Sequence, residues 1–394
     1  MSTPAPAAAP RSRRKFLLRL VFVIVILALL AWGLWYWLVG RWYATTDDAY
    51  VHANVVEVTP LVPGTVTAIY AENNDYVRAG QVLVRFDAAD ARVALQRAEA
   101  NLALTVRRVR ALYAGAGAAE AALATREVEL RRAEQDDARV RKLEGTGAIS
   151  AQDVQHAGDA LAAARAALGA AKQQLASARA PISATVLARQ PDVLAAAALV
   201  RAAYLGEVRT NLLAPVSGYV AKRNVQLGQR VMPGTPLMAV VPLDHVWVNA
   251  NFKETVLGGL RIGQPVKLVS DVYGSGVVYH GVVQGLGIGT GSAFALLPAQ
   301  NATGNWIKIV QRLPVRIDIH DPKQLQAHPL RVGLSMDVTV NLHDKKGPLL
   351  ASAPLLKPVL QTDVYQGQMQ AADALIARIV HANAGLPAAH GTTH

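Results

Sequence analysis

The chain has no cysteine among its 394 residues. Disulfide bonds, thiolate metal sites, cysteine nucleophiles and a lipid-modified N-terminal cysteine are therefore excluded. Charged residues are also sparse, at 17%. Together with the abundance of alanine, this scarcity of charge indicates apolar, tightly packed helices and a membrane-bound segment.

No acidic residue precedes Asp47, and the cations before it account for much of the charge imbalance. They are Arg11, Arg13, Arg14, Lys15, Arg19 and Arg41. These six residues supply half of the net charge of +12. The remaining charges interleave in sign along predicted helices, as on a solvated face, so no nucleic-acid surface is indicated.

Residues 20–39 contain no charged side chain. Twenty helical residues rise about 30 Å, the thickness of a bilayer core. Cations precede this span and aromatic residues crowd its far end, which predicts an anchor over 16–40 with residues 1–15 as a cytoplasmic tail. A cleaved signal peptide is the alternative, but it would have a shorter apolar region followed by small residues.

The sequence shows no arrangement typical of catalysis or cofactor binding. The ten histidines are scattered without carboxylates at metal-binding spacing. The glycine-rich stretch 285–291 lacks the following helix that a nucleotide loop needs. Asp47 and Asp48 are the only paired carboxylates near the anchor, and we expect a structural role for them, with proton coupling as the alternative. We therefore predict a protein that is not an enzyme and holds no metal or cofactor.

The most informative pattern is a repeat that is split by a long insertion. Short apolar runs with glycine and proline predict small strands and tight turns in each half. Each position of the first half matches one 154 residues later: Val62, Gly64, Val66, Val77, Gly80 and Leu83 match Val216, Gly218, Val220, Val231, Gly234 and Leu237. Gly64 and Gly218 are expected where a side chain would clash, and Gly80 and Gly234 in turns.

The two halves, 56–87 and 210–241, resemble the halves of a biotinyl/lipoyl domain, a β-sandwich with internal pseudo-symmetry. In carrier domains a short hairpin joins the halves and presents the modified lysine. Here residues 88–209 take its place, and no lysine occurs between Asp87 and Lys142. The sandwich therefore lacks the residue on which a carrier function depends.

Residues 88–209 are predicted to form a long antiparallel helical hairpin. Apolar residues recur at three- and four-residue steps in both arms, as in a coiled-coil seam. They are Leu95, Ala98, Leu102, Val109 and Leu112 in the first arm, and Leu161, Ala164, Leu168, Ala171 and Leu175 in the second. At the turn, Gly145 and Gly147 would end the first helix, and Ser150 with Asp153 would cap the second.

Interruptions are expected partway along both arms of the hairpin. Gly115 and Gly117 interrupt the first arm, and Pro181 interrupts the second at a similar distance from the turn. The pattern predicts a joint between two stacked helical segments. A self-contained coiled coil without a partner is the simplest alternative, and we favour a spacer with a functional tip.

Residues 242–345 are predicted to form a small antiparallel β-barrel, because short apolar segments follow one another without helical periodicity. The expected strands are 246–252, 265–269, 277–283, 306–310, 315–319 and 338–342. Residues 41–55 are assigned to a membrane-proximal linker. The tail, 346–394, contains a short amphipathic segment, 371–381, which is expected to pack on the barrel or the membrane surface. The fold class is therefore multi-domain α+β.

With these parts in order, the chain resembles the membrane fusion proteins of the HlyD family, most closely its EmrA-type branch. The resemblance extends over nearly the whole chain from the anchor onward. Three motifs carry it: Thr46-Asp47-Asp48-Ala49-Tyr50-Val51, Ala214-Pro215-Val216-Ser217-Gly218, and a stretch from Pro298 through Asn301-Ala302-Thr303-Gly304-Asn305-Trp306 to Arg312-Leu313-Pro314-Val315-Arg316-Ile317.

The resemblance implies a periplasmic adaptor of a tripartite multidrug efflux pump, anchored in the bacterial inner membrane as a homo-oligomer. It implies a major facilitator transporter and a TolC-type outer-membrane channel as partners. An adaptor of a type I secretion system, serving an ABC transporter, is the first alternative. A carrier subunit of an enzyme and a purely structural envelope protein are further alternatives.

Many members of this family dock onto TolC-type channels through a hairpin tip with the order Arg-x3-Leu-x6-Ser. Arg139, Leu143 and Ser150 match that spacing and flank the predicted turn. The resemblance implies that Arg139 bonds to polar groups of the channel, Leu143 supplies apolar contact and Ser150 bonds to backbone. Without a docking role, Leu143 would belong to the seam, Ser150 would be a cap and Arg139 would be solvated.

Overall fold

The computed structural model describes residue 2 and residues 12–144, 147–182, 186–294, 309–354, 356 and 358–385. The helices in chain order are α1 (Ser12–Leu38), α2 (Ala89–Leu143), α3 (Ala151–Arg179), α4 (Pro191–Val208), α5 (Pro322–Ala327) and α6 (Gln366–Ala384). The strands are β1 (Tyr43–Thr46), β2 (Ala49–Ala53), β3 (Val56–Val58), β4 (Gly64–Ile69), β5 (Tyr76–Val77), β6 (Val82–Phe86), β7 (Asn211–Leu213), β8 (Gly218–Arg223), β9 (Arg230–Val231), β10 (Met238–Val241), β11 (Val246–Lys253), β12 (Pro265–Ser270), β13 (Val278–Leu286), β14 (Arg312–Ile319) and β15 (Met336–Asn341). The multi-domain α+β class is confirmed.

Helix α1 is long and apolar enough to cross a membrane, and it is the one such helix in the described ranges. None of its apolar span is buried against the rest of the protein. Phe22, Leu30 and Trp35 are exposed by 65%, 64% and 58%. A helix that is apolar on all sides and uncovered by protein has the surface that a bilayer solvates.

The two half-repeats form a sandwich of two four-stranded sheets, and each sheet takes strands from both halves. One sheet has the order β3-β10-β8-β5 and the other β7-β6-β4-β9. Val77 pairs with Gly218 in the first sheet, and Gly64 pairs with Val231 in the second. These two pairings exchange under the 154-residue offset, which is the internal pseudo-symmetry of the predicted lipoyl-like fold.

The repeated apolar positions fill the interior of this sandwich. Val66, Val77 and Leu83 are buried in the same cluster as their partners Val220, Val231 and Leu237. A further bond joins the halves at the rim, where the Ala79 amide donates to Oγ of Ser217 over 2.9 Å. Neither half could bury this core alone, because each contributes only half of both sheets.

The glycines of the repeat fall into two geometric types. A Cβ built on Gly218 would lie 2.5 Å from the Val241 carbonyl oxygen, and one on Gly64 would lie 2.9 Å from Cβ of Phe86. Gly80 and Gly234 have φ of +82° and +83°, which side-chain-bearing residues rarely adopt. The first pair thus allows close strand packing, and the second allows tight turns.

Replacing Gly218 by alanine is expected to destabilise the sandwich by about 3 kcal/mol, because the added methyl group meets fixed backbone atoms. Thermal unfolding of the detergent-solubilised chain, followed by circular dichroism, should show a lower unfolding temperature than that of wild type. Gly285→Ala is the matched control, since no atom lies within 4 Å of the added carbon. Equal unfolding temperatures for the two variants would contradict the argument.

Seven antiparallel strands curl into the barrel, in the order β1-β15-β12-β13-β14-β11-β2. Backbone bonds from Val51 to Leu334 and Gly333 bring β2 back against the segment before β15. Alternate residues of β11 point inward, so that Val246, Val248, Ala250 and Phe252 are buried. The predicted barrel is thus present, with its core filled by side chains.

The prediction that residues 41–55 form a linker is wrong. β1 pairs with β15, and β2 pairs with β11. Ala49, Val51 and Ala53 alternate inward into the barrel core, and this two-residue period makes the segment a strand rather than a connection. The anchor therefore enters the barrel almost directly.

One barrel strand was predicted at 306–310, but the described residues of this range do not form a strand. Residues 306–308 lie outside the described residues, and Ile309 and Val310 have no strand structure. The family-like motif from Pro298 to Trp306 also lies outside the described residues, whereas its second part forms most of β14.

The insertion is an antiparallel hairpin in which α2 packs against both α3 and α4. Pro181 interrupts the second arm as predicted: α3 stops at Arg179, and the arm resumes with α4 at Pro191. The predicted break at Gly115 and Gly117 is wrong, because α2 is continuous through both. A helix tolerates single glycines at about 1 kcal/mol each, since their backbone hydrogen bonds remain, whereas a proline removes one.

The predicted seam is largely buried. Four of the five first-arm residues are covered, but Leu112 is 37% exposed, and Val106 is fully buried instead. In the second arm Leu161 and Leu175 are buried, while Ala164, Leu168 and Ala171 are partly buried. Val106 lies four residues from Leu102, so the seam follows the α-helical period at that point.

The C-terminal helix α6 packs on the base of the hairpin, against α2 and α4, and not on the barrel or membrane surface as predicted. Ala372 and Ile376 are buried there, and Leu375, Ile379 and Val380 pack against the same apolar cluster. The Nε atom of Arg201 donates to Oδ1 of Asp373 over 2.6 Å. The base of the hairpin presents an apolar surface that α2 and α4 do not bury by themselves, and α6 covers it.

Replacing Ile376 by aspartate is expected to detach α6, at a cost of about 3 kcal/mol, because a charge would be buried against apolar neighbours. Limited proteolysis should then release the C-terminal segment from an otherwise folded chain. Met369→Asp is the control on the same helix, since Met369 is 45% exposed. Identical digestion of the two variants would show that α6 is not held by this contact.

Candidate functional site

The hairpin tip contains the three residues singled out from the sequence. Arg139 and Leu143 lie in the last turns of α2, and Ser150 precedes α3. The Arg139 side chain is 72% exposed and pairs with Asp136 of the same helix at 3.2 Å. Leu143 is 41% exposed. An arginine and a leucine four residues apart share one helix face, so both side chains are presented on one side of the tip.

Ser150 begins α3 through a reciprocal capping box. Its hydroxyl accepts from the Asp153 amide at 3.2 Å, while the Asp153 carboxylate accepts from the Ser150 amide at 3.0 Å and from its hydroxyl at 2.7 Å. These bonds lower the pKa of Asp153 below its ordinary value. The predicted cap is present. Gly147 has a positive φ in the turn, and Gly145 lies outside the described residues.

An ion pair behind the tip, in which the carboxylate is buried and the guanidinium is exposed, was not found from the sequence. The side chain of Asp137 is only 10% exposed, and its Oδ2 atom accepts from Nε of Arg141 at 2.7 Å. This hydrogen bond raises the pKa of Arg141. A Cβ on Gly158 would lie 3.8 Å from the Arg141 guanidinium, which places the pair against α3. The i,i+4 spacing of opposite charges was the available signal, but it does not reveal burial.

The motif after the anchor forms a polar junction within the barrel. Oδ2 of Asp48 accepts from Arg312 at 2.7 Å, and Oδ1 accepts from the Asn251 amide group at 3.1 Å. The Thr46 hydroxyl donates to the Asn251 carbonyl at 2.9 Å. Asp48 therefore joins the β1–β2 turn to β11 and β14, the structural role expected for it, whereas Asp47 is exposed.

An apolar N-terminal helix, a barrel, a split lipoyl-like sandwich and an inserted helical hairpin together define the class of membrane fusion adaptors. A family model described as "EMRA, alpha-helical hairpin domain" matches residues 89–210. That range contains α2, α3 and α4. The chain is 45% identical over 353 residues to the multidrug export protein EmrA of Escherichia coli strain K12, covering 90% of each chain. It therefore belongs to the EmrA family of membrane fusion proteins.

The chain is also similar to a relative named for fatty acid resistance and to a solved adaptor structure. The chain is 46% identical over 318 residues to the fatty acid resistance protein FarA of Neisseria gonorrhoeae, covering 80% of each chain. The solved structure of the periplasmic adaptor protein EmrA aligns at 20% identity with a TM-score of 0.38, covering 76% of this chain and 99% of that one.

Replacing Ser150 by alanine is expected to speed amide hydrogen exchange in the first turn of α3 about fivefold at neutral pH, because one cap bond is lost. The folded-state pKa of Asp153 is lowered. The cap therefore contributes its full stabilisation of α3 at pH values above the ordinary aspartate pKa of about 3.9. Its contribution is lost as the pH falls through the lower folded-state value. The difference between variant and wild type should therefore shrink in acid.

Ser177→Ala is the control for this measurement. The Ser177 hydroxyl donates to the Gln174 carbonyl inside α3 and caps nothing. Exchange in the first turn should be unchanged in that variant. An equal change in both variants, or a pH-independent difference for Ser150→Ala, would contradict the capping role.

Proposed function

We propose that this chain is the periplasmic adaptor of a tripartite multidrug efflux pump in a bacterial inner membrane. The observation that carries the proposal is the combination, in one chain, of a membrane-spanning helix with a hairpin whose first arm is a single helix of 55 residues. Such a helix is about 80 Å long, which is far more than the sandwich needs for its own folding. The name of the Escherichia coli relative supports drugs as the exported class.

The anchor holds the chain with its N-terminus in the cytoplasm and the bulk of the protein in the periplasm. The cations before the span support this orientation. The adaptor carries out no chemical step and takes no cofactor. It acts by position, because the barrel lies next to the anchor and the hairpin extends from the sandwich.

The inner-membrane partner is a major facilitator transporter, and the outer-membrane partner is a TolC-type channel. These two assignments rest on the resemblance to EmrA-type proteins. Several copies of the chain would line a conduit, with their sandwiches and hairpins side by side. The exported compounds would pass through this conduit from the transporter to the channel.

The hairpin tip is the surface that meets the channel. Among the described residues Arg139 forms an exposed ion pair with Asp136, and its guanidinium has five N–H donors, so it can also bond a partner's carboxylates or helix-end carbonyls. Leu143 adds apolar area beside it. The Ser150 hydroxyl is engaged in the cap, and its contribution is to fix the turn that presents the other two residues.

Replacing Arg139 by aspartate is expected to abolish export while folding and membrane insertion are retained. A reversed charge at a docking surface costs several kcal/mol in binding, and resistance should fall to that of cells without the adaptor. Resistance is measured in cells that lack their own adaptor, with adaptor abundance checked in the membrane fraction.

Arg132→Asp is the matched control for the tip. It lies seven residues earlier on α2, on the same exposed face and about 10 Å nearer the base. Resistance should be retained in that variant. Normal resistance with Arg139→Asp, or equal losses in both variants, would reject docking through Arg139.

The partners are tested by crosslinking the chain in intact cells, purifying it from solubilised membranes and identifying what is attached. We expect a major facilitator transporter together with a TolC-type channel. Recovery of an ABC transporter instead would favour type I secretion. Recovery of neither would reject the tripartite pump.

A further inference from the structure

A cavity of about 790 Å³ lies where the anchor meets the barrel. Trp35 and Tyr36 from the end of α1 form one wall, and Thr255 from the barrel side forms another. Arg41 and Lys345 also line it. The cavity is therefore built by the membrane span and the barrel together.

Two cations converge at this cavity around one aromatic ring. The Arg41 guanidinium lies 4.9 Å from the centre of the Trp42 ring, and Nζ of Lys345 lies 5.3 Å from the same centre. His343 stacks on Trp42 at 4.8 Å, and Arg41 also lies 4.5 Å over Trp37. Aromatic faces hold these cations in place by cation–π attraction.

The positive charge of this cluster is not compensated within the described part of the chain. Neither Arg41 nor Lys345 forms an ion pair with a carboxylate there. The neighbouring Asp344 instead accepts from the Lys346 amide at 2.9 Å. A cation–π contact uses the face of the guanidinium and leaves its edge N–H groups able to donate to an anion.

The position of the cluster identifies the kind of anion. Trp32, Trp35 and Trp37 are exposed by 58–65% at the end of the apolar span, where tryptophan marks the membrane–water interface. A lipid at that level would place its phosphate beside the cations and its glycerol and upper acyl carbons against Trp35 and Tyr36. A free phosphate ion has no apolar group that could pack against this wall.

We propose that this cavity binds the headgroup of an anionic phospholipid in the leaflet that faces the barrel. Arg41 and Lys345 bind the phosphate, and Trp42 holds both side chains in position. Because β1 begins at Tyr43, a lipid bound here fixes the barrel at a set height over the bilayer. The inference goes beyond the proposed export function and requires only that α1 lies in a membrane.

The test uses the full chain, purified in mild detergent, stripped of lipid and mixed with equal amounts of phosphatidylglycerol and phosphatidylcholine. Native mass spectrometry counts the lipids that stay bound. Wild type should retain phosphatidylglycerol in preference, and the ratio of the two lipids should fall about fivefold for each cation removed in R41Q and K345Q and further in the double variant. R41K/K345R should keep the preference.

The double variant K323Q/R331Q is the matched control, since it removes two cations from the α5 segment, which faces the sandwich and does not line this cavity. Its lipid ratio should equal that of wild type, and circular dichroism checks that every variant is folded. If the double variant at the cavity does not fold, the single variants decide the question.

Three results would overturn the proposal. One is an equal ratio of the two lipids on wild type, and another is an unchanged ratio in R41Q and K345Q. The third is displacement of phosphatidylglycerol by inorganic phosphate at the same concentration, which would indicate a site for a free anion. Drug export does not enter this measurement, so failure here is distinguishable from failure of the proposed function.

Discussion

The rest of the fold depends on the cross-pairing of the two half-repeats, because this pairing brings together the two chain segments from which the hairpin arms start. Val77 must meet Gly218, and Gly64 must meet Val231, before either sheet of the sandwich is complete. The closure brings β6 beside β7 and thereby sets the two arms of the hairpin next to each other at their base. Each pairing also contains a glycine that lies close to a third strand: a Cβ on Gly218 would meet the Val241 carbonyl oxygen of β10, and one on Gly64 would meet Phe86 of β6.

The same closure determines how the hairpin is supported. α2 runs without a break, whereas the other arm is divided at Pro181, so α2 acts as the continuous strut on which α3 and α4 pack. At the base of the hairpin, α6 covers the remaining apolar surface, although it follows the last barrel strand in the chain. The C-terminal part of the chain is thereby tied to the hairpin through apolar contact and the Arg201–Asp373 pair.

The anchor is coupled to the barrel by a similarly short route. Only a single turn of 3-10 helix, Gly40–Trp42, separates α1 from β1. Asp48 then bonds to Asn251 and Arg312, which fixes the β1–β2 turn to the neighbouring strands β11 and β14. The anchor and the barrel are therefore joined by a short connection whose far end is held by side-chain hydrogen bonds.

The sequence by itself determined the features that rest on short-range patterns. The uncharged span, the 154-residue repeat, the helix-ending Pro181 and the Ser150 cap each depend on residues close together in the chain, or on a repetition that can be counted. The tip residues Arg139, Leu143 and Ser150 were also located in this way, by spacing and family resemblance. Their docking role remains a proposal.

Only the tertiary structure decided which distant surface each apolar face meets. It placed β1 and β2 in the barrel, kept α2 continuous through Gly115 and Gly117, and set α6 on the hairpin. It also buried Asp137 behind the hairpin tip and gathered two cations around Trp42. The physical reason is that burial of apolar area is non-directional, so a local pattern shows that a face must be covered but not what covers it.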